Sequence, residues 1–230
     1  SDVVPSQRAG MNDSSEDGSL RWETPGPRTA LIKHAGLEGP IEDALLSRFL
    51  VAYGTQGDER EDEVNKAEAL RLDDFWWRWA NARCRLKADT EVTDEDVQDS
   101  NLILFGNARS NLWVRKVNDA LPVRFADHAV VCGGRRFEGD DVGLKVCYPN
   151  PLNPERYVVV IGGTTWQGTL DANERFGNWF DWGLFDNRNW FDYGVFDRRT
   201  RNPESFLEVG FFDQDWRLSD RYRWTGAEAD

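Results

Sequence analysis

Three apolar runs that each end in glycine and small polar residues constrain the fold of this chain most strongly. They are residues 49–55 (FLVAYGT), 101–111 (NLILFGNARSN) and 157–165 (YVVVIGGTT). An unbroken apolar run of this length, bounded by turn residues, is typical of a strand buried on both faces of a parallel sheet. The sequence therefore predicts one such sheet, with the loops that follow these strands gathered at its carboxyl edge.

Helical patterns separate these strands. Apolar residues recur near helical spacing from Val64 to Ala82, behind an acidic run that favours a helix start. Residues 93–96 (TDED) have the form of a capping box, and Ser110 or Asn111 is positioned to cap a third helix. This alternation predicts an α/β fold of three layers, Rossmann-like or flavodoxin-like, with a mostly parallel sheet.

The pattern changes after Leu121, where strands follow one another with short connections. Residues 129–132, 143–148 and 157–161 are expected to extend the sheet with some antiparallel pairing, and further strands are expected at 193–196 and 206–211. A helix or loop is expected through Trp182. Residues 1–28 are predicted to be a flexible arm, and residues 29–230 one α/β domain with an aromatic-rich C-terminal segment.

The charge and composition exclude several classes of partner. A net charge of −13 argues against nucleic acid and against anionic membrane surfaces, because both require a Lys/Arg footprint. No apolar run approaches the roughly 20 residues of a membrane span, so no membrane insertion is predicted. The three cysteines, Cys84, Cys132 and Cys147, have no C-x-x-C spacing. Buried free thiols are the favoured interpretation, with a Cys132–Cys147 pair left open, so the redox compartment is undecided.

No familiar catalytic motif is present in the sequence. There is no Gly-x-Ser-x-Gly elbow, and His34 and His128 are interpreted as incidental. The 41 acidic residues leave a carboxylate pair open without assigning one. Residues 94–96 (DED) and 139–141 (GDD) do not match a calcium loop and are interpreted as solvated turns. The dinucleotide fingerprint Gly-x-Gly-x-x-Gly is absent, and neither a cofactor, a metal nor a catalytic residue is predicted.

The carboxyl edge of the predicted sheet is the first candidate ligand site, because ligands of open α/β sheets bind there. Backbone amides at the helix start near Asn111 would suit an anion or a hydroxylated ligand. The alternative is that the glycines only permit tight turns after the strands. The candidate residues are Gly54, Thr55, Gly106, Asn107, Ser110, Asn111, Gly163 and Thr164.

The aromatic residues form a second candidate. The chain has 11 tryptophans, and several of them lie near many phenylalanines in the C-terminal third. Such side chains stack on sugar rings and also form hot spots at protein interfaces. The alternative is that they fill the core. The candidate platform consists of Trp166, Trp179, Trp182 and Trp190.

An ordered set of motifs resembles a known bacterial segment. The motifs are residues 39–44 (GPIEDA), 49–55, 101–106 followed by Ser110 and Asn111, and 148–154 (YPNPLNP) ahead of 156–160 (RYVVV). Together they resemble, over roughly residues 35 to 215, a segment at the C-terminal end of large bacterial proteins, notably from planctomycetes. There it commonly follows an esterase or prolyl-oligopeptidase-like α/β-hydrolase module. The stretch 176–197 and the N-terminal arm depart from that pattern.

The resemblance implies an accessory domain of an exported protein, extracellular or periplasmic, whose catalytic residues lie in the other module. We therefore expect a non-catalytic binding domain whose partner is a hydrolase module, another protein or a carbohydrate-like ligand. The alternative is a hydrolase-type enzyme with an unrecognised site at the carboxyl edge. A third interpretation is that the acidic surface and aromatic residues serve assembly with another chain. The chain begins at Ser1 rather than Met, as a processed product or a fragment would.

Overall fold

The computed structural model describes residues 31–174, 190–200 and 203–226 and shows a mixed α/β architecture. Its α-helices are α1 (Glu59–Ala80), α2 (Asp94–Asp99), α3 (Leu112–Val117) and α4 (Trp166–Glu174). Short 3-10 helices cover Ile41–Leu45, Asp89–Glu91, Asn118–Ala120 and Pro203–Ser205. The strands are β1 (Phe49–Tyr53), β2 (Leu86–Ala88), β3 (Asn101–Phe105), β4 (Val123–Ala126), β5 (Ala129–Cys132), β6 (Arg135–Glu138), β7 (Gly143–Asn150), β8 (Asn153–Gly163), β9 (Tyr193–Phe196), β10 (Glu208–Phe212) and β11 (Leu218–Trp224).

The main sheet is mixed. Its eight strands lie in the order β11-β10-β9-β7-β8-β3-β1-β2. Strands β8, β3, β1 and β2 pair in parallel, whereas β7, β9, β10 and β11 add antiparallel pairings. The α/β class and the antiparallel C-terminal strands are therefore confirmed. The sheet, however, is divided between parallel and antiparallel halves rather than mostly parallel.

The centre of the parallel half consists of the three apolar runs. Val51 of β1 pairs with Ile103 of β3, which pairs with Val159 of β8, and all three side chains are buried. Every residue of β3 is buried. Burial on both faces explains why these strands show no alternation of apolar and polar residues.

The second sheet corrects one expectation. Residues 129–132 do not extend the main sheet, because β5 pairs with β4 and β6 in a separate antiparallel meander. The β4–β5 hairpin turns at Asp127 and His128, and His128 has a positive φ of 47°. The two sheets are joined by Glu208 of β10, which accepts from Cys132 Sγ at 2.9 Å and from Arg135 Nη1 at 3.0 Å.

The helix boundaries follow from identifiable caps. The Asp58 carboxylate accepts from Glu61 N at the start of α1, and Asn81 ends the helix in a left-handed conformation. The Thr93–Asp96 capping box begins α2 as predicted. Asn111, rather than Ser110, caps α3 by accepting from the amides of Trp113 and Val114. None of the described helices combines the length and apolar character needed to cross a membrane.

The C-terminal strands are partly as predicted. The strand at 193–196 is confirmed as β9, and the strand expected at 206–211 appears as β10, but β11 was not predicted. Its sequence contains Asp220, Arg221 and Arg223, and most of its side chains face solvent, as an edge strand permits. The predicted arm at 1–28 and the helix or loop through Trp182 lie outside the described residues. All three cysteines are free thiols.

Candidate functional site

The structure brings the candidate strand-end residues together at the carboxyl edge of the parallel strands. Backbone hydrogen bonds connect the loops: Gly54 N donates to Phe105 O at 3.0 Å, and Gly106 N donates to Ile161 O at 2.9 Å. Gln56 N donates to Ser110 O at 3.0 Å. The loop after β1 is therefore bonded to the end of β3 and to the loop that follows it, and that loop is bonded to the end of β8, as expected for adjacent parallel strands.

Asn107 is the centre of this network. Its Nδ2 donates to Glu61 Oε1 at 2.6 Å and to Gly163 O at 2.8 Å. Its Oδ1 accepts from the backbone amides of Arg109 and Ser110 at 2.9 and 3.1 Å, and the backbone amide of Asn107 donates to Ser110 Oγ. The side-chain carboxamide of an asparagine has two N–H donors and one acceptor oxygen. In Asn107 both donors and the acceptor oxygen are engaged within the protein.

Thr55 and Asn111 make equally internal contacts. Thr55 Oγ1 donates to Asp89 Oδ1 at 2.6 Å, and the other oxygen of Asp89 accepts from Leu112 N at 2.8 Å. Asn111 Nδ2 donates to Phe105 O at 3.0 Å while its Oδ1 caps α3. These contacts attach the helix start to the ends of β1 and β3, so the amides there already have acceptors.

The glycines and Thr164 are tightly packed. A Cβ added to Gly54 would clash with Ser110 O, and one added to Gly163 would clash with the backbone of Gly168. Gly106 has a φ of +115°, which side-chain-bearing residues rarely adopt. Thr164 Oγ1 donates to Gly139 O at 2.5 Å. The geometry thus agrees with the alternative interpretation, in which these glycines allow close approach of backbones.

Glu61 is a buried acid of this network that the sequence reasoning missed. Burial raises the pKa of its carboxyl group, although the hydrogen bond from Asn107 and the charge of Arg109 act in the opposite direction. Glu61 lies in a run of acids, which the sequence predicts only as a helix start. Its spacing from Val64, Glu68 and Leu72, all buried on α1, is the signal that marks it as inward-facing.

An open cleft lies beside this network, between the main sheet and the meander. It has a volume of about 180 Å³. The loop after β3 and Thr164 form one side, and the end of β4 with its turn forms the other. Its lining residues are Asn107, Ala108, Arg109, Phe125, Ala126, Asp127 and Thr164. Only Asn107 and Thr164 of these were among the predicted site residues.

The predicted aromatic platform is not one surface. Trp166 begins α4 just after the carboxyl end of β8, and its ring lies 4.9 Å below the Arg60 guanidinium. Trp190 precedes β9, which runs in the same direction as β8 because both pair antiparallel with β7. Trp190 therefore lies toward the opposite edge of the sheet. Trp179 and Trp182 lie outside the described residues.

Trp190 instead belongs to a cluster with two aromatic residues that were not predicted. Its ring centroid lies 5.5 Å from that of Phe211 and 6.0 Å from that of Trp224, and the latter two lie 6.1 Å apart. Trp224 is 49% exposed, and Trp190 and Phe211 are partly exposed. We call these three rings the aromatic surface. Only the β10–β11 pairing, which the sequence did not reveal, brings Trp224 to Phe211.

The remaining candidate groups have structural contacts. Asp96 accepts from Thr93 N, Arg85 Nη2 and Lys87 Nζ, the last at 2.5 Å. Asp141 Oδ2 lies 2.9 Å from Arg198 Nε. Among the described residues, no group of three or more His, Cys, Asp or Glu side chains is arranged to hold a metal ion. His34 lies in the entry segment and His128 in the meander turn, so each is part of a different region.

Comparison with known proteins adds no functional assignment. No protein-family model matches the chain, and no curated protein sequence matches it significantly.

Proposed function

We propose that this chain is a non-catalytic accessory domain that binds a carbohydrate-like ligand or a partner protein through the aromatic surface. The supporting observation is the triangle of Trp190, Phe211 and Trp224, with centroid separations of 5.5 to 6.1 Å and about half of the Trp224 side chain exposed. Rings that fix one another in this way offer a rigid apolar face to a sugar ring or to a partner side chain.

The position of the aromatic surface suits binding. Trp224 lies at the end of β11, the edge strand of the main sheet, next to the exposed Tyr222 and Arg221. The Arg221 guanidinium lies 5.5 Å from the Tyr222 ring. Aromatic residues and arginine are the side chains most enriched at interface hot spots. Trp224 and its neighbours therefore combine a stacking face with polar groups at its rim.

The alternative function, a hydrolase-type enzyme at the carboxyl edge, has one observation in its favour. Glu61 is an acid with a raised pKa beside a cleft, and such groups are frequent in active sites. Glu61, however, does not line the cleft, and its Oε1 is engaged by Asn107. Because the donors of Asn107 are also used internally, the geometry favours a structural role for this network.

The partner and the fold class follow as parts of the same proposal. The resemblance of residues 39–44, 49–55, 101–111 and 148–160 to segments that follow hydrolase modules supports such a module, in an exported protein, as the partner. We also propose that the helices form outer layers of a three-layer Rossmann-like arrangement. The crossover helix α1 between the parallel strands β1 and β2 supports this.

The binding proposal is tested with a matched pair of tryptophan variants. Trp224→Ala removes the exposed ring of the aromatic surface, whereas Trp77→Ala removes an equally exposed ring on α1, since Trp77 is 46% exposed. Affinity electrophoresis in gels containing soluble xylan, β-glucan or arabinan should show retardation of the wild type. Truncating a residue that carries binding energy costs more than about 1 kcal/mol, so Trp224→Ala should weaken retardation at least severalfold. Trp77→Ala should leave it unchanged.

Two outcomes would contradict the carbohydrate form of the proposal. If both tryptophan variants are retarded like the wild type, binding does not use the aromatic surface. If the wild type migrates freely in every gel, carbohydrate is not the ligand, and cross-linking to a co-expressed hydrolase module then tests the protein form. Cross-links centred on Trp224 and Tyr222 are expected in that case.

A further inference from the structure

The cleft between the main sheet and the meander carries opposite charges on its two walls. Arg109 lies on the side of the cleft formed by the loop after β3, and Asp127 lies on the side formed by the β4–β5 turn. Between them lie Phe125, Ala126 and Ala108, which give the cleft an apolar lining. This combination of a cation, an anion and apolar side chains is distinct from the aromatic surface and independent of it.

The wall that carries Arg109 is held in place by several hydrogen bonds. Arg109 Nη2 donates to Thr164 O at 2.6 Å, and the backbone amide of Arg109 donates to Asn107 Oδ1. Arg115 reinforces the loop, since its Nε and Nη2 donate to Ala108 O and Arg109 O. A guanidinium has five N–H donors, so the contact with Thr164 positions Arg109 while leaving donors for a ligand. Arg115 adds a second positive charge to the same loop.

The opposite wall presents a carboxylate to solvent. The Asp127 side chain is 91% exposed, and its Oδ1 lies 3.7 Å from His128 Nε2. The backbone at this turn is fixed, because Arg136 Nη2 of the neighbouring strand donates to Asp127 O. The buried ring of Phe125 lies two residues before it on β4. Asp127 is thus an available anion beside an apolar floor.

The size of the cleft limits the ligand. Its volume of about 180 Å³ is close to that of an engineered cavity of about 150 Å³ that binds benzene. It therefore has room for a molecule of about six to eight non-hydrogen atoms. A carboxylate matches the planar fork of an arginine, whereas an ammonium group matches a single carboxylate.

We propose that this cleft binds small zwitterions of the α-amino acid type. The ligand carboxylate pairs with Arg109, its ammonium group pairs with Asp127, and a small aliphatic side chain packs against Phe125 and Ala126. Asp127 selects against dicarboxylates, because a second negative charge would face it. A peptide C-terminus offers the carboxylate without a neighbouring ammonium group and is the competing source of the same anion.

The test uses L-valine and two analogues that each lack one charge. Isovalerate is L-valine without its ammonium group, isobutylamine is L-valine without its carboxylate, and both are small enough for the cleft. N-acetyl-L-valine is larger and represents a peptide C-terminus. In ¹H–¹⁵N correlation spectra of the full chain, L-valine should cause saturable shifts of the Ala108, Arg109, Ala126 and Asp127 amides. Each analogue should bind at least tenfold more weakly, which corresponds to about 1.4 kcal/mol. Preferential binding of N-acetyl-L-valine would assign the cleft to peptide C-termini and overturn the proposal.

Variants of Arg109 and Asp127 test the contribution of each charged residue to binding separately. Arg109→Ala should weaken L-valine binding at least tenfold, and Arg109→Lys should restore part of it because the charge remains without the fork. Asp127→Asn should remove the preference for L-valine over isovalerate. Arg78→Ala, on the exposed face of α1, is the control and should bind as the wild type does. Absence of saturable shifts, or binding that Arg109→Ala leaves intact in a folded spectrum, would overturn the proposal.

Discussion

Asn107 Nδ2 lies 2.6 Å from Glu61 Oε1, so that a loop residue after β3 is hydrogen-bonded to the first turn of α1. Asn107 donates from the same nitrogen to Gly163 O after β8. One side chain therefore connects the ends of two strands with the helix that crosses over from a third. The hydrogen bonds of Asn107 therefore stabilise the parallel half of the main sheet.

Replacing Asn107 should destabilise the protein strongly. Asn107→Ala removes the contacts with Gly163, Arg109 and Ser110 and leaves the Glu61 carboxylate buried without its donor. Loss of such a partner costs about 2–4 kcal/mol of unfolding free energy. Urea denaturation monitored by tryptophan fluorescence measures this change. Gln56→Ala, an exposed position in the neighbouring loop, should shift stability by less than about 0.5 kcal/mol. Equal effects of the two variants on the free energy of unfolding would contradict this stabilising role of Asn107.

Glu61 should make stability fall as the pH rises. Burial raises the pKa of its carboxyl group above the usual 4.5, so its contribution is fully present below pH 4.5 and is lost as pH rises through the folded-state pKa. Glu61→Gln keeps an acceptor for Asn107 and removes the titration. We expect this variant to match the wild type in acid and to be more stable at pH 8. Denaturation midpoints across this range test the prediction, and a variant less stable at pH 8 would contradict it.

Asp96 should have the opposite pH dependence. Burial alone would raise the pKa of Asp96, but hydrogen bonds from Lys87 and Thr93 outweigh it and hold the pKa below its usual 3.8. The stabilisation is present above pH 3.8 and is lost as pH falls through the folded-state pKa. Asp96→Asn should therefore cost about 1–3 kcal/mol at pH 7 and progressively less in acid. Asp74→Asn, which alters an exposed ion pair, should change the free energy of unfolding at pH 7 by less than about 1 kcal/mol.

The cysteines should differ in reactivity. Burial raises the pKa of the Cys84 thiol to about 12, with Asp73 contributing in the same direction. Burial also raises the pKa values of Cys132 and Cys147, which are both inaccessible. An aromatic disulfide reagent at pH 8 should therefore modify Cys84 slowly and the other two only on unfolding, because the thiolate is the reactive form. Cys84→Ser should abolish the slow phase. Rapid labelling of Cys132 in the native protein would contradict this account.

The core of the parallel half could be predicted because burial on both faces leaves a local signature. Strands β1, β3 and β8 are unbroken apolar runs, and the glycines after them mark where the loops meet. Residues 129–132 have a similar apolar character, yet β5 pairs with its neighbours in sequence. Apolar character alone does not indicate which sheet a strand joins. The short turn at Asp127 and His128 pairs β5 with β4 and so places β5 in the meander.

The candidate sites depended on strand direction and pairing, which composition does not reveal. Trp166 follows β8 and Trp190 precedes β9, so the parallel direction of these two strands separates the two rings. Conversely, Trp224 and Phe211 meet only because β11 pairs with β10. The role of Glu61 was obscured by the surrounding acids, although its position relative to Val64 and Glu68 placed it on the inner face of α1.

The chemical fate of a bound ligand tests the central claim most directly. The polysaccharide that retards the wild type in affinity electrophoresis would be incubated with the wild type, Trp224→Ala and Glu61→Gln, and the products analysed by mass spectrometry. A non-catalytic binding domain predicts that the wild type leaves the polysaccharide chemically unchanged and that, of the two variants, only Trp224→Ala loses retardation in the gel. Cleavage products formed by the wild type and abolished by Glu61→Gln would contradict the account and place an active site at the carboxyl edge.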